Sequence, residues 1–455
     1  MTRRHCLRLG ATGVLGWSLP QLLALQANAA TGQLAARAKN VLVVLEQGGL
    51  SHIDTWDPKP DVVVEHRSPY KPIATRVPGM RFTELLAKTG RHADKLAVVR
   101  SMHGGANDHP GGTRYVLSGS RSPEMPDIGS VVSHLLGTRC KDLPPYIMVP
   151  GNNEQAAVTR NGFLPGSSRV FKTGGVDLSA KDWKVGPVQP RPDAPVSRVT
   201  ARQQLLASLD ERNNGSKATN FGGIGRFYEQ AFDMLTSPRV ASAFNYQAEP
   251  DAVRERYGTG HRGACYLVGR KLIEAGVRFV TVDVRWPLTK ETPGGSNLNW
   301  DHHDFIYTKG TCNLPGAGGG GAGRYGIGHW VMMGSVDQAF SALIEDMHER
   351  GLLADTLVCF VSEFGRTPKL NKFQGRDHWN GAYSFVFAGA GVPGGRVIGR
   401  TDREGGQVTD EPHTQEEFAA TIYEKLGIGR DTPIYRADNR PVFFRHDAEP
   451  ISSLF

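Results

Sequence analysis

Apolar residues fall into short runs of strand length, separated by longer stretches with helical spacing. The runs at 41–45, 96–99, 146–149, 277–284, 356–361 and 384–388 are nearly continuous in large apolar residues. Strands that read this way are covered on both faces, as in a parallel sheet, because a half-solvated strand would alternate. Helical spacing predicts helices at 128–136, 197–212, 224–235, 263–275, 330–350 and 416–426. The last opens on Thr414-Gln415-Glu416-Glu417, where a hydroxyl and a carboxylate three residues apart satisfy each other's backbone N–H. Strand–helix alternation predicts a layered α/β domain. Residues 152–196, rich in Gly, Pro and Ser, are expected to form a surface excursion, and 313–328 a Gly-rich insertion. The glycine tract is not a phosphate cradle, because it lacks a preceding strand and a Lys-Ser/Thr ending.

The first 29 residues read as an address. Thr2-Arg3-Arg4-His5-Cys6-Leu7-Arg8 precedes a mildly apolar stretch interrupted by Pro20, and Ala27-Asn28-Ala29 supplies the small residues of a cleavage site. The paired arginines resemble the twin-arginine export signal, so the twin-arginine machinery is an expected partner. The apolar run is shorter than the ~20 residues that span a bilayer, and no later run is long enough, so no transmembrane segment is expected. The expectation is a mature chain, 30–455, forming a single domain in the periplasm or outside the cell.

With 39% hydrophobic and 22% charged residues and a net charge of +8 over 455 residues, the composition is that of a globular protein and excludes a largely disordered one. No Lys/Arg block and no nucleic-acid module is present, so no nucleic-acid partner is predicted. Export leaves Cys140, Cys265, Cys312 and Cys359, which permit three pairings, none of them assigned. The absence of a CxxC spacing excludes a zinc ribbon or a thioredoxin-like site. Cys359 lies inside an apolar run and reads as a small buried hydrophobe.

Candidate chemistry collects just after the strands, where open α/β sheets bind ligands. The segments are 46–58, 100–109, 300–304, 362–368 and 375–379, and in all but 362–368 histidines stand next to carboxylates. Carboxylate with imidazole is the ligand mixture of hydrolytic zinc or manganese sites, and two such ions could clamp both oxygens of an in-line displacement.

These blocks resemble the secreted bacterial family called domain of unknown function 1501, a sulfatase-like branch of the alkaline phosphatase superfamily. The matching residues are Gly48-Gly49-Leu50-Ser51-His52-Ile53-Asp54 with Asp57-Pro58-Lys59-Pro60, Ala106-Asn107-Asp108-His109, Trp300-Asp301-His302-His303, Glu363-Phe364-Gly365-Arg366-Thr367-Pro368 and Gly375-Arg376-Asp377-His378-Trp379. The resemblance implies an alkaline-phosphatase/sulfatase-like, doubly wound, mostly parallel sheet with long loop insertions. It implies a metal centre at the strand ends with Glu46, Asp301, His303, Glu363 and His378 as ligands. One or two divalent ions are expected, zinc or manganese first and calcium or magnesium as the alternatives. Phe364 stands where the superfamily has a further histidine ligand, which puts the second ion in doubt.

Counting back from Leu117-Ser118-Gly119 puts His109 in the nucleophile's position. An imidazole there can attack the ester, act as general base, ligate the metal or cap a helix beginning near Thr113. Asp108 is the candidate to orient it, and no cysteine is present for a formylglycine. Arg366 is read either as a bidentate partner for a phosphate or sulfate oxygen or as a salt-bridge residue. His52, Asp54 and Asp57 either support the ligands or cap a Gly-rich turn. Trp300 and Trp379 either pack the site or stack on a sugar. Asp301, His303 and His378 are expected to share one ion, with His302 pointing elsewhere. Two functions follow: metal-dependent hydrolysis of phosphate or sulfate esters, on a small molecule or a carbohydrate, or a non-catalytic glycan- or partner-binding protein with a remnant metal site.

Overall fold

The computed structural model describes residues 36–151, 159–174, 177–185, 231–284, 298–312, 324–444 and 448–455, with isolated positions between 197 and 208. The leader, most of the helices expected at 197–212 and 224–235, and the core of the Gly-rich insertion lie outside the described residues.

The centre is an eight-stranded sheet. Its strands are β1 (Asn40–Leu45), β2 (Ala97–Met102), β3 (Tyr146–Pro150), β4 (Phe171–Lys172), β5 (Phe279–Asp283), β6 (Thr356–Val361), β7 (Tyr383–Ala388) and β8 (Arg396–Ile398). The spatial order is β8-β2-β7-β6-β1-β5-β3-β4. Every pairing is parallel except the two made by β7, which runs against both β6 and β2. All six runs expected to be strands are strands. The short β4 and β8, at the two edges, were not expected, because two or three residues carry too little pattern to detect.

Among the described residues five longer helices cover the sheet: α1 (His109–Ser118), α2 (Ile128–Leu136), α3 (His261–Glu274), α4 (Ser335–Glu349) and α5 (Gln415–Lys425). Alternate residues of β1 feed two separate cores. Leu42 and Val44 join Leu267, Val268 and Leu343 of α3 and α4, whereas Val41, Val43 and Leu45 join Val131, Val132, Phe418 and Ile422 of α2 and α5. Burial on both faces is why the strand reads as an unbroken apolar run. The Thr414–Glu417 capping box forms as expected. The stretch expected at 330–350 opens with one wide turn, Trp330–Gly334, before α4. α1 starts at His109 and not near Thr113, because Asp108 caps it and Pro110 fits the first turn.

Cys140, Cys265, Cys312 and Cys359 are all buried, and no disulfide joins any two of them. Among the described residues no helix is long and apolar enough to cross a membrane.

Candidate metal centre

Five chain segments meet at one end of the sheet's strands. Glu46 follows β1, Glu363 follows β6, His109 follows β2 after a short loop, and Asp301 and His303 come after β5 in the chain. His378 precedes β7. Because β7 is antiparallel, its start lies where its neighbours end, which is how a residue ahead of a strand reaches the same end of the sheet. His378–Trp379 pairs with Gly365–Arg366 in a small hairpin that fixes the approach.

The convergence point is a single oxygen. Oδ1 of Asp301 lies 2.9 Å from His303 Nε2, 3.0 Å from His378 Nε2, 3.2 Å from His109 Nε2 and 2.8 Å from Arg366 Nη2. The His303 and His378 Nε2 atoms are 3.0 Å apart. Ligand atoms of His109, Asp301 and His378 all fall within 4.8 Å of one another.

The outward nitrogens are held separately. Nδ1 of His109 donates to Glu363 Oε1 at 2.8 Å, Nδ1 of His303 to Asp377 Oδ1 at 2.8 Å, and Nδ1 of His378 to the Asn107 carbonyl at 2.6 Å. A carbonyl or carboxylate only accepts, so each Nδ1 carries the proton and each neutral ring turns its Nε2 lone pair inward. Nε2 of His109 is buried, stands at ion-pair distance from Asp301 and has no aligned hydrogen-bond partner. Three lone pairs and a carboxylate aimed at one point call for a cation. Protons answer that call when nothing else does. Burial acts on His109 to lower its pKa, but Asp301 and Glu363 outweigh it and hold the pKa above the ordinary value. Burial would raise the Asp301 carboxyl, yet the three imidazoles and Arg366 hold it far below the carboxylate range. His378 is pulled below its ordinary value by burial, against the opposing pull of Asp301.

The other expected residues are placed differently. Asp108, expected to orient His109, caps α1 by accepting from Gly111 N at 2.7 Å, and the carboxylate that orients His109 is Glu363. Glu363 also accepts from Gly48 N at 2.7 Å. Glu46 is turned away from the imidazoles and spends both oxygens on Arg262, Tyr266 and Trp300. Arg366 is fully buried and bonds to the carbonyls of Gly48, Gly49 and Arg376 as well as to Asp301. It is thus a salt-bridge residue, and its partner is Asp301. His302 turns away to the Tyr325 carbonyl at 2.7 Å, as expected of a neighbour of His303.

His52 bonds the Gly405 carbonyl, and Asp57 pairs with Arg100 and Lys59. Asp54 pairs with the buried Arg376 and accepts from Tyr307. Arg376 also ties down the carbonyls of His66, Thr367 and Pro368, so it anchors the loop that delivers Asp377 and His378. Trp300 is buried and donates to Glu46, and Trp379 donates to Gly406.

Two glycines let the segments approach. Gly48 has φ +107°, and a Cβ there would sit 2.3 Å from Trp300 N. A Cβ on Gly112 would sit 3.0 Å from the Phe364 ring and 3.1 Å from Glu363 Cβ. Phe364 occupies the floor, its ring 4.6 Å from that of His378 and 5.4 Å from that of His109.

Sequence reasoning did not single out Arg262, Tyr266, Asp377 or the Asn107 carbonyl. A signal for the first two was present: Arg262, Tyr266 and Arg270 recur every fourth residue in a helix that is buried except at Lys271 and Glu274.

The model of the family described as "Protein of unknown function (DUF1501)" matches residues 38–455. No match was found among curated proteins. Solved structures similar to this chain include that of Ps i-CgsB in complex with k-i-k-neocarrahexaose, at 11% identity and a TM-score of 0.36, covering 86% of this chain and 72% of that one. Another comes from work on "metabolism of multiple glycosaminoglycans by bacteroides thetaiotaomicron", at 13% identity and a TM-score of 0.34, covering 86% and 73%.

Proposed function

The chain belongs to the DUF1501 family, and from that premise we propose that it is an exported, metal-dependent hydrolase of phosphate or sulfate esters, acting on a small molecule or a carbohydrate. The observation that carries this reading is the meeting of three imidazole Nε2 atoms at one oxygen of Asp301 while each Nδ1 is already engaged. Imidazole nitrogens together with a carboxylate suit zinc or manganese, whereas calcium and magnesium prefer an all-oxygen shell. Asp301, His303 and His378 would hold the ion, which when bound polarises an ester oxygen or acidifies a water. Glu363 fixes the ring of His109, and its Nε2, facing the same point, accepts the proton of the attacking water. Asp377 and the Asn107 carbonyl keep His303 and His378 in their tautomers.

Metal analysis of the purified protein should return a divalent ion, and an aryl-phosphate and aryl-sulfate screen should detect turnover. His109→Ala should lower that turnover by about 10²-fold or more while the ion is retained. A protein that binds no divalent ion would overturn the reading. Export belongs to the same proposal: replacing Arg3 and Arg4 with Lys should leave unprocessed precursor in the cytoplasm, and normal processing of that variant would remove this part.

One observation favours a second reading, a non-catalytic glycan- or partner-binding protein that keeps the ion. Arg366, the candidate clamp for an ester oxygen, is buried and bonded to the protein itself. An ion without turnover on any aryl ester would select it.

A further inference from the structure

Glu46 follows β1, and superfamily order makes it a metal ligand. Its surroundings say otherwise. Oε1 accepts from Arg262 Nε at 3.1 Å and from the Tyr266 hydroxyl at 2.8 Å, and Oε2 accepts from Arg262 Nη2 at 3.1 Å and from Trp300 Nε1 at 2.9 Å. An ionised carboxylate has about four lone-pair sites, so this acceptor is full. Arg262 and Glu46 are each 2% exposed. The guanidinium is satisfied in turn by the carbonyls of Val331, Met332 and Leu298 and by the Ser335 hydroxyl.

We infer that Arg262 is a built-in cation standing where a second divalent ion would pair with Glu46, so that the centre at Asp301 is mononuclear. A guanidinium keeps its charge at every working pH, and its planar fork matches a carboxylate at two points. An ion binding Glu46 would have to displace Arg262 and leave its charge buried and unpaired, which is strongly unfavourable. Glu363 offers no substitute platform: its Oε1 already accepts from Gly48 N and His109 Nδ1, and its Oε2 lies 3.2 Å from the Ser362 hydroxyl. Phe364, fully buried against His109 and His378, fills the volume that a further ligand would need.

The inference rests on the reading of the Asp301 cluster as an ion site, and zinc titration separates the two. Native mass spectrometry and elemental analysis of the zinc-saturated protein should give one ion per chain. Glu46→Gln should keep that one ion with affinity changed less than about threefold, while its melting temperature falls. If that variant does not fold, the Glu46→Gln/Arg262→Gln pair, neutral on both sides, should give the same stoichiometry. Two ions in the wild type would overturn this inference alone, as would loss of the ion from a folded Glu46→Gln. No zinc on the wild type would overturn the ion site and this inference with it.

Discussion

Two carboxylates at the same end of one sheet, both largely shielded from water, end up in opposite conditions. Asp301 gathers three imidazole nitrogens and one guanidinium nitrogen around a single oxygen, while Glu46 gathers a guanidinium, a phenol and an indole around two. The partners of Glu46 are donors by nature, and they complete it. Those of Asp301 are amphoteric, and with Nδ1 protonated they present lone pairs that repel one another and the acid alike. One cluster is finished by folding; the other, in the proposed reading, is finished by a cation from outside. The difference lies in the neighbours, since both acids are largely withdrawn from water.

Breaking the Asp301 side should have the largest effect. Asp301→Asn removes the charge on which the imidazoles converge, and zinc affinity measured by competition with a chelator should fall by well over 100-fold, beyond the loss typical of a supporting residue. An unchanged affinity would end the distinction between the two clusters. Breaking the Glu46 side should damage stability and not metal content. Arg262→Met strands a buried carboxylate, and chemical denaturation should show a loss of about 3–5 kcal/mol with the ion still bound. Asp377→Ala frees the Nδ1 of His303 and should cost about 10–100-fold in zinc affinity, read by the same competition. The smallest effect sharpens the contrast. Tyr266→Phe deletes one donor to Glu46 and should cost about 1–3 kcal/mol in unfolding free energy, with no change in zinc affinity.

The legibility of these clusters in the sequence was uneven for physical reasons. Six strands were readable because each is buried on both faces, and a six-residue run such as Thr356–Val361 leaves an unbroken apolar trace. Asp301, His303 and His378 were readable because they are chemically distinctive and follow the order of a known family. The pairing of Glu46 with Arg262 was not, since 216 positions separate the two and a carboxylate after a strand looks the same whether a metal or an arginine awaits it. Likewise nothing local distinguishes Glu363 from Asp108 as the partner of His109. The nearer acid is claimed by the end of α1, and only the folded chain brings the farther one to Nδ1. Arg366 went to Asp301 for a similar reason: its charge was evident, its neighbour was not.

The antiparallel strand β7 carries a consequence for how the protein is made. His378 reaches the centre because it precedes that strand, and 269 residues of chain separate it from His109. Synthesis at about 5–20 residues per second puts roughly 15–50 s between the emergence of these two rings. Throughout that interval a nascent chain offers a metal only part of its coordination sphere. Under the proposed ion site, loading waits for His378 to join the other rings, and the compartment in which that happens is the one whose metal supply decides what the site carries.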